Sequence, residues 1–255
     1  MPENKRYVVH LSFMEMDAVT LPIQNYGEAE KTASDCQGRM CQVEKDQEEV
    51  ARTPPPQLYD LPSLQKEAAR VLGYGREQTK ELAFSLYGKK LLTDPEAASR
   101  YLPEELGYPT EKLIRILHDE LPFLAGHRFQ PEVRQLFGPA GMGKGHAILP
   151  IPAAKGWASL MLGKEERNLL YLVGAQVMMA ASGTHIREHH KSQLTCNYRT
   201  FFLDAFHMKK EGYREIGKRM EAFFGCGREA PEGKDVEVYL GKVFGPCDTS
   251  IWQLG

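Results

Sequence analysis

Apolar and polar residues alternate along the first part of the chain, as they do in half-buried β-strands. Residues 7–13 are rich in β-branched and aromatic side chains, residues 18–23 alternate, and residues 40–43 form a short apolar run. Each of these three segments predicts a β-strand. Residues 26–36 have helical spacing, with Gly38 just after their end, and predict one helix among the strands.

A helical period begins after three consecutive prolines at residues 54–56, which lack backbone donors and predict an extended connector. Asp60 is suited to cap the first helix, with Pro62 in its opening turn. The last predicted helix is apolar nearly all round, so we expect it to be buried. Four helices are predicted in this part, over residues 60–73, 75–88, 110–121 and 164–182.

Strand patterns return near the end of the chain. Residues 192–196 and 200–205 predict two strands joined by a hairpin turn at Asn197 and Tyr198. Residues 235–239 predict a late strand, whereas residues 219–234 fit a helix, a loop or a linker equally well.

This order of strands, helices and strands predicts an α+β fold, in which a discontinuous β module holds an inserted α-helical module. We expect the first part of the β module at residues 1–56, the helical module at 57–190 and the second part of the β module at 191–255.

The composition is that of an ordinary globular protein, with 42% hydrophobic and 26% charged residues. A net charge of −2 gives no overall basic excess, although residues 187–219 are locally basic. Five scattered cysteines without a C-x-x-C pair argue against a disulfide framework or a zinc ribbon and predict reduced thiols. We expect no secretory signal and no membrane span, and therefore a cytoplasmic protein.

Residues 138–145, GPAGMGKG, nearly match the P-loop that cradles nucleotide phosphates. Gly145, however, replaces the Ser or Thr whose hydroxyl would hold Mg²⁺. A polar segment precedes the loop, and Pro150 and Pro152 prevent a helix from starting after it. A glycine-rich surface loop is therefore the favoured interpretation.

His185 and His189 have the i,i+4 spacing of metal ligands on a helix, but they lie beyond a helix end in a charged stretch. A solvated turn is favoured there, and we expect neither a metal nor a cofactor. The helices at residues 62–72 and 76–87 resemble a DNA-reading helix-turn-helix only as any αα-hairpin does. Five phenylalanines are expected in the core: Phe201, Phe202, Phe206, Phe223 and Phe224.

Several segments become informative in combination. Residues 54–68 read PPPQLYDLPSLQKEA, residues 99–103 read SRYLP, and residues 145–150 read GHAILP before a helix that contains ERNLLYLV at 166–173. In this order they resemble the type IA DNA topoisomerases, most of all bacterial topoisomerase III. The resemblance covers roughly residues 7–216. It implies a β-rich arch domain that is split around a helical domain.

The resemblance also places the active-site motif of that family, which reads aliphatic-Thr-Tyr-Pro-Arg-Thr-Asp-Ser-Arg-Tyr-Leu-Pro. Its tyrosine attacks a DNA phosphodiester and holds the broken end covalently. Here Asp94 stands at the tyrosine position, Glu96 at the position of the phosphate-stabilising arginine, and Ala97 and Ala98 at the next two positions. No catalytic residue is intact, and two carboxylates stand where a phosphate would lie.

The resemblance implies that a second catalytic element is missing. The acidic Mg²⁺ cluster of the family lies upstream of the arch, and this sequence begins at the arch. The resemblance therefore predicts a truncated, catalytically inactive topoisomerase III-like protein that binds single-stranded DNA weakly and without sequence preference. The expected contacts are Lys89, Lys90, Arg100, Lys144 and His146; the family uses this histidine near the scissile phosphate.

Two alternatives stay open. In the first, the chain is a regulatory module that binds an intact topoisomerase, or another DNA-processing protein, without touching DNA. In the second, it is one subunit of a split DNA topoisomerase.

Overall fold

Two compact units make up the computed structural model, which describes residues 5–14, 16–96, 99–103, 107–138, 146–153, 156–227 and 242–254. The first unit comprises Met1–Arg52, Ile186–Lys210 and Glu229–Gly255. The second comprises Thr53–His185 and Glu211–Arg228. One unit is thus built from discontinuous strands and the other mainly from helices, which confirms the α+β class.

A seven-stranded sheet forms the first unit, in the order β6-β3-β4-β5-β2-β1-β7. The pairs β1–β2, β1–β7, β2–β5, β3–β6 and β4–β5 are antiparallel. The strands are β1 (Arg6–Phe13), β2 (Met16–Val19), β3 (Cys41–Thr53), β4 (His185–Cys196), β5 (Arg199–Lys210), β6 (Val243–Phe244) and β7 (Asp248–Leu254).

One face of this sheet carries the core of the first unit. The register pairs Leu11 with Ala18 and Ala18 with Leu203, so alternate apolar side chains point to the same face. Helix α1 (Tyr26–Cys36) contributes Ala29 and Ala33 to this core. Its first turn is stabilised by the Asn25 side chain, which accepts a hydrogen bond from the Gly27 N–H at 2.8 Å.

Five helices pack around a separate core in the second unit. Within α2 to α6, helix α5 is the central element, because every residue from Leu169 to Ala180 is buried. Asp60 caps α2 by accepting a hydrogen bond from the Ser63 N–H at 2.9 Å, and Gly73 ends α2 in the left-handed conformation. The helices are α2 (Leu61–Leu72), α3 (Arg76–Gly88), α4 (Gly107–Glu120), α5 (Lys164–Ala180) and α6 (Tyr213–Phe224).

The four helices predicted in this region are present, but several strands differ from the prediction. β2 covers Met16–Val19 rather than residues 18–23. β3 continues to Thr53, beyond the predicted residues 40–43, through residues that are mostly exposed and charged. The apolar pattern fails there because sheet pairing, and not burial, keeps that part of the strand extended.

The histidine-rich segment was predicted as a solvated turn, and this is wrong. β4 begins at His185, and both His185 and His190 are buried. The cost of burying the His190 imidazole is compensated by a polar partner, because its Nδ1 lies 2.9 Å from the carboxylate of Asp46 on β3. This pairing joins positions 144 residues apart, so no local pattern could indicate it.

Helix α6 begins at Tyr213 and continues into residues 219–234, for which the sequence left a helix, a loop and a linker open. It belongs to the second unit, whereas the predicted division placed residues 191–255 with the second group of strands. Of the five phenylalanines expected in the core, Phe201 is fully buried, whereas Phe202 and Phe223 are 39% and 46% exposed. The predicted strand at 235–239 and residues 139–145 of the glycine-rich loop lie outside the described residues. Among the described helices, none is both long and apolar enough to cross a bilayer.

Candidate functional site

Three stretches of the second unit meet at the segment that was predicted to correspond to the family's active-site motif, called here the degenerate motif. The segment after the prolines supplies residues 57–60, the motif itself covers residues 91–103, and residues 146–151 run between them. The Ile148 N–H donates to Tyr59 O at 2.8 Å, and the Ala147 N–H donates to Tyr101 O at 3.1 Å. Backbone hydrogen bonds therefore hold the HAILP segment against both other stretches.

Thr93 fixes the start of the motif against the same segment. Its N–H donates to Leu149 O at 2.9 Å, and its Oγ1 accepts from the Leu149 N–H at 2.9 Å. The hydroxyl also donates to Ala147 O at 3.3 Å. Thr93 thus satisfies three backbone partners, and the residue that follows it, Asp94, starts from a fixed backbone position.

Asp94 and Glu96 lie at the surface of this site. Both residues are exposed. The Asp94 Oδ1 accepts a hydrogen bond from the Glu96 N–H at 2.9 Å, which closes a short turn. The two carboxylates place negative charge at the protein surface, while Ala97 and Ala98 lie outside the described residues.

Arg100 provides a positive charge in the same motif. Its Nε donates to Leu58 O at 3.0 Å, and the residue is partly buried. Among the described residues, no carboxylate lies within ion-pair distance of its guanidinium. A half-buried arginine anchored through one nitrogen keeps its remaining N–H groups for an anion.

Asp60 lies within the electrostatic reach of Arg100 without pairing with it. Burial pushes the pKa of Asp60 upward, but hydrogen bonds from Ser63 and the charge of Arg100 outweigh this, so the pKa is lowered from its usual 3.8. The Asp60 carboxylate is therefore occupied at the N-terminus of α2, where it serves as a cap.

Lys89 and Lys90 follow α3 and have different surroundings. The Lys89 ammonium pairs with the Glu166 carboxylate, which also accepts a hydrogen bond from the Ser85 hydroxyl at 2.7 Å. Lys90 is exposed, with a positive φ of 58°. Of the two lysines, Lys90 is the one whose charge faces solvent without a carboxylate partner among the described residues.

His146 is partly buried at the start of the HAILP segment, and its Nδ1 lies 2.9 Å from Ala147 O. A proton on Nδ1 makes this hydrogen bond and leaves Nε2 as the nitrogen that can contact a ligand. Lys144, the remaining predicted contact, lies outside the described residues.

Tyr59 and Tyr101 belong to the segments of the site, Tyr87 lies near the end of α3, and the sequence did not single out Tyr59. The Tyr59 hydroxyl is buried without a hydrogen-bond partner, and burial raises its pKa well above 10. The Tyr101 hydroxyl is hydrogen-bonded to the Gln57 side chain, and Tyr87 is 45% exposed on α3. A phenol attacks as the phenolate, so the buried Tyr59 is the poorest nucleophile of the three.

His185 and His189, whose spacing was weighed as a metal site and not favoured, lie on β4 and not in this site. In the portion of the chain that the structure describes, no group of three or more His, Cys, Asp or Glu side chains is arranged to hold a metal ion.

Comparisons with known proteins place this geometry in a family. A family model described as DNA topoisomerase matches residues 10–225. The chain is 26% identical over 183 residues to DNA topoisomerase 1 of Methanothermobacter thermautotrophicus, which covers 71% of this chain and 24% of that protein. It is 37% identical over 125 residues to DNA topoisomerase 3 of Shouchella clausii, which covers 46% of this chain and 17% of that protein.

The fold matches a solved structure as well. Full-length topoisomerase I from Thermotoga maritima superposes with a TM-score of 0.59 and 18% identity, covering 98% of this chain and 40% of that one. The chain therefore spans about a quarter or less of the length of these two curated relatives.

Proposed function

Because this chain belongs to the DNA topoisomerase family, with the fold of the type IA enzymes, we propose that it binds single-stranded DNA without cleaving it. Cleavage needs a tyrosine nucleophile at the position of Asp94 and a cation at the position of Glu96. Carboxylates at both positions remove the covalent step and repel a phosphate.

The environment of the Arg100 guanidinium is the observation that carries the binding proposal. Its guanidinium is half-buried and anchored to Leu58 O, and it has no carboxylate partner among the described residues. A half-buried guanidinium without a paired carboxylate is only partly compensated, so an anionic ligand at this position stabilises it. A backbone phosphate is the group that fits both this charge and the family of the chain.

Lys90 and His146 extend the proposed phosphate contacts. Lys90 offers an exposed ammonium, and His146 offers a ring nitrogen at the start of the HAILP segment. Lys144 belongs to the proposed set through the sequence alone. Lys89 contributes less, since its ammonium would have to leave Glu166 to reach DNA.

The proposed binding is weak and sequence-independent. Two or three phosphate contacts on a single strand give a salt slope of roughly −1.5 to −2 in a plot of log K against log salt. Asp94 and Glu96 lower the affinity further, because exposed carboxylates beside a phosphate repel it.

The test is fluorescence anisotropy with a labelled single-stranded oligonucleotide over a salt series. Arg100→Gln keeps a polar side chain but removes the charge, and we expect it to weaken binding roughly 3–10-fold at low salt and to reduce the slope by about 0.7. Lys90→Gln should act in the same direction. Lys80→Gln, a change at an exposed lysine on α3, is the matched control and should leave binding unchanged.

Absence of binding at low salt, or equal losses in Arg100→Gln and Lys80→Gln, would contradict this proposal. The exposed Asp94 and Glu96 favour one second candidate, a regulatory module that docks a protein partner without DNA contact. A chain that binds no oligonucleotide but is captured by a purified intact topoisomerase, with capture lost in Asp94→Asn/Glu96→Gln, would support that candidate. Cleavage that appears only when a second chain is added would support the split-enzyme alternative.

A further inference from the structure

Four of the five cysteines converge in the core of the first unit, although they are scattered in the sequence. Cys36 ends α1, Cys41 begins β3, Cys196 ends β4, and Cys247 precedes β7. All four side chains are buried, with at most 1% of each residue exposed. The fifth, Cys226, lies in the second unit and is only partly buried.

Cys36 and Cys196 face each other directly. The Cys36 Sγ lies 3.3 Å from Cys196 O, and the Cys196 Sγ lies 3.8 Å from Cys36 O. Each sulfur therefore reaches the backbone of the other residue, which requires the two residues to be immediate neighbours. Their side chains also interact with each other.

Cys247 and Cys41 continue this contact network. The Cys196 side chain interacts with Cys247, and Cys247 interacts with Cys41. Hydrogen bonds fix the backbone here, because the Cys247 N–H donates to Arg39 O and the Gly38 N–H donates to Cys247 O, each at 2.8 Å. Cys247 is thus held beside the segment that joins α1 to β3, between Cys36 and Cys41 in the chain.

The cluster is buried but shallow. Cys196 is followed directly by the exposed turn residues Asn197 and Tyr198. Cys247 lies between exposed Pro246 and Asp248, next to the two edge strands of the sheet. Local opening of the hairpin turn or of an edge strand brings solvent to the thiols without unfolding the unit.

We propose that this cluster is a thiol–disulfide site at which a small-molecule disulfide oxidises Cys36 and Cys196 to an intramolecular disulfide. The inference does not depend on DNA binding. A metal is not the proposed occupant, since no group of three or more His, Cys, Asp or Glu in the described part of the chain is arranged to hold one.

The small-molecule disulfide takes up the two electrons and two protons that the two cysteines lose. One cysteine thiolate attacks the oxidant disulfide, forms a mixed disulfide and releases one small thiolate. The second cysteine thiolate then attacks the protein sulfur of that mixed disulfide and displaces the second small thiolate. The two protons lost by the cysteines are taken up by the two leaving thiolates, so the protein loses two hydrogens and the oxidant becomes two thiols.

Burial makes the folded protein resistant until it opens. Burial and the neighbouring Cys196 raise the pKa of Cys36 to about 12, so the closed state holds a thiol and not the reactive thiolate. Oxidation is therefore slow in the native protein and faster under mild denaturant. The Cys36–Cys196 bond, once formed, closes a loop between positions 160 residues apart and restrains the unfolded chain.

In the experiment, the protein is incubated with oxidised glutathione, with and without mild denaturant. After an acid quench and alkylation, disulfides are mapped by mass spectrometry under non-reducing conditions. We expect a Cys36–Cys196 peptide pair and a rise in thermal midpoint of roughly 5–15 °C that is reversed by reductant. Cys226→Ser is the matched control and should show the same bond and the same shift. Cys36→Ala and Cys196→Ala should show neither.

Three outcomes would overturn the proposal. The first is glutathione on Cys226 alone, with Cys36 and Cys196 still alkylated as free thiols after denaturant exposure. The second is a thermal shift that persists in both Cys36→Ala and Cys196→Ala. The third is one equivalent of tightly bound zinc in the purified protein that blocks oxidation, which would make the cluster a metal site instead. If one alanine variant does not fold, the other variant and the peptide map of the wild type show whether the Cys36–Cys196 bond forms.

Discussion

Lys89, at the end of α3, forms an ion pair with Glu166, in the first turn of α5. The same carboxylate accepts hydrogen bonds from the Ser85 hydroxyl at 2.7 Å and from the Gly163 N–H at 3.3 Å. Glu166 thereby links the two helices and caps the N-terminus of α5, where a negative charge is favourable. The motif follows α3 directly, so this contact helps to position it.

Replacing Glu166 with Gln should destabilise the protein by about 0.5–1.5 kcal/mol at neutral pH, because Lys89 and the N-terminus of α5 lose a charged partner. The estimate is low because Lys89 is 44% exposed and solvent screens the pair. Urea denaturation of Glu166→Gln and wild type measures the difference. Glu165→Gln, on the same turn, is the control and should change stability less.

The pH dependence of that difference has a definite sign. The hydrogen bond from Lys89 is the main reason that the pKa of Glu166 is lowered from 4.5 in the folded protein. A lowered pKa contributes stability that is complete above about 4.5 and is lost as the pH falls through the folded value. The gap between wild type and Glu166→Gln should therefore be larger at pH 7 than at about pH 3.5; an equal gap at both would contradict the charge argument.

Gly212 should tolerate no side chain. Its φ is +56°, and an added Cβ would lie 2.6 Å from Thr184 O and in closer contact with Gly183 O. Gly212→Ala should therefore cost roughly 2–4 kcal/mol, because backbone atoms cannot move aside as a flexible side chain can.

Gly225→Ala is the control for this steric argument. Gly225 has a similar φ of +69°, but no atom lies within 4 Å of an added Cβ. Only the left-handed conformation is penalised there, at about 1 kcal/mol. Thermal unfolding of both variants tests the argument, and equal losses would show that the contact with residues 183 and 184 is not the cause.

Removal of both carboxylates from the degenerate motif should strengthen DNA binding. Asp94→Asn/Glu96→Gln keeps similar shapes while removing two exposed negative charges. We expect roughly 2–10-fold tighter binding of a single-stranded oligonucleotide at low salt and a smaller gain at high salt, where these charges are screened. Glu111→Gln/Asp119→Asn, which removes two exposed negative charges from α4, is the charge-matched control. An equal gain in the control would indicate a general charge effect and not a site.

Asp60 should be important as a helix cap. Asp60→Ala removes the acceptor for the Ser63 N–H, and the expected loss is about 1–2 kcal/mol of unfolding free energy. Asp60→Asn keeps an acceptor and should recover most of the loss, as equilibrium urea denaturation would show. If Asn is as destabilising as Ala, the carboxylate acts through its charge near Arg100 rather than as a cap.

The sequence by itself determined four of the five described helices of the second unit, α2 to α5, and the family of the chain. Periodic apolar spacing, Asp60 as a cap and Gly73 as a stop are local signals, and a helix satisfies its hydrogen bonds locally. The order of the PPPQLYD, SRYLP and HAILP segments indicated the family, and the positions of Asp94 and Glu96 in its motif stay a prediction from the sequence.

Only the tertiary structure decided the contacts between residues far apart in the chain. The charged half of β3, the buried His190 beside Asp46, the ion pair of Lys89 with Glu166 and the meeting of Cys36 with Cys196 have no local signature. Each joins or depends on segments that only the folded chain brings together. A strand takes its hydrogen-bond partners from a distant part of the chain, and a buried polar group takes its compensating charge from there too, so neither follows from composition or spacing.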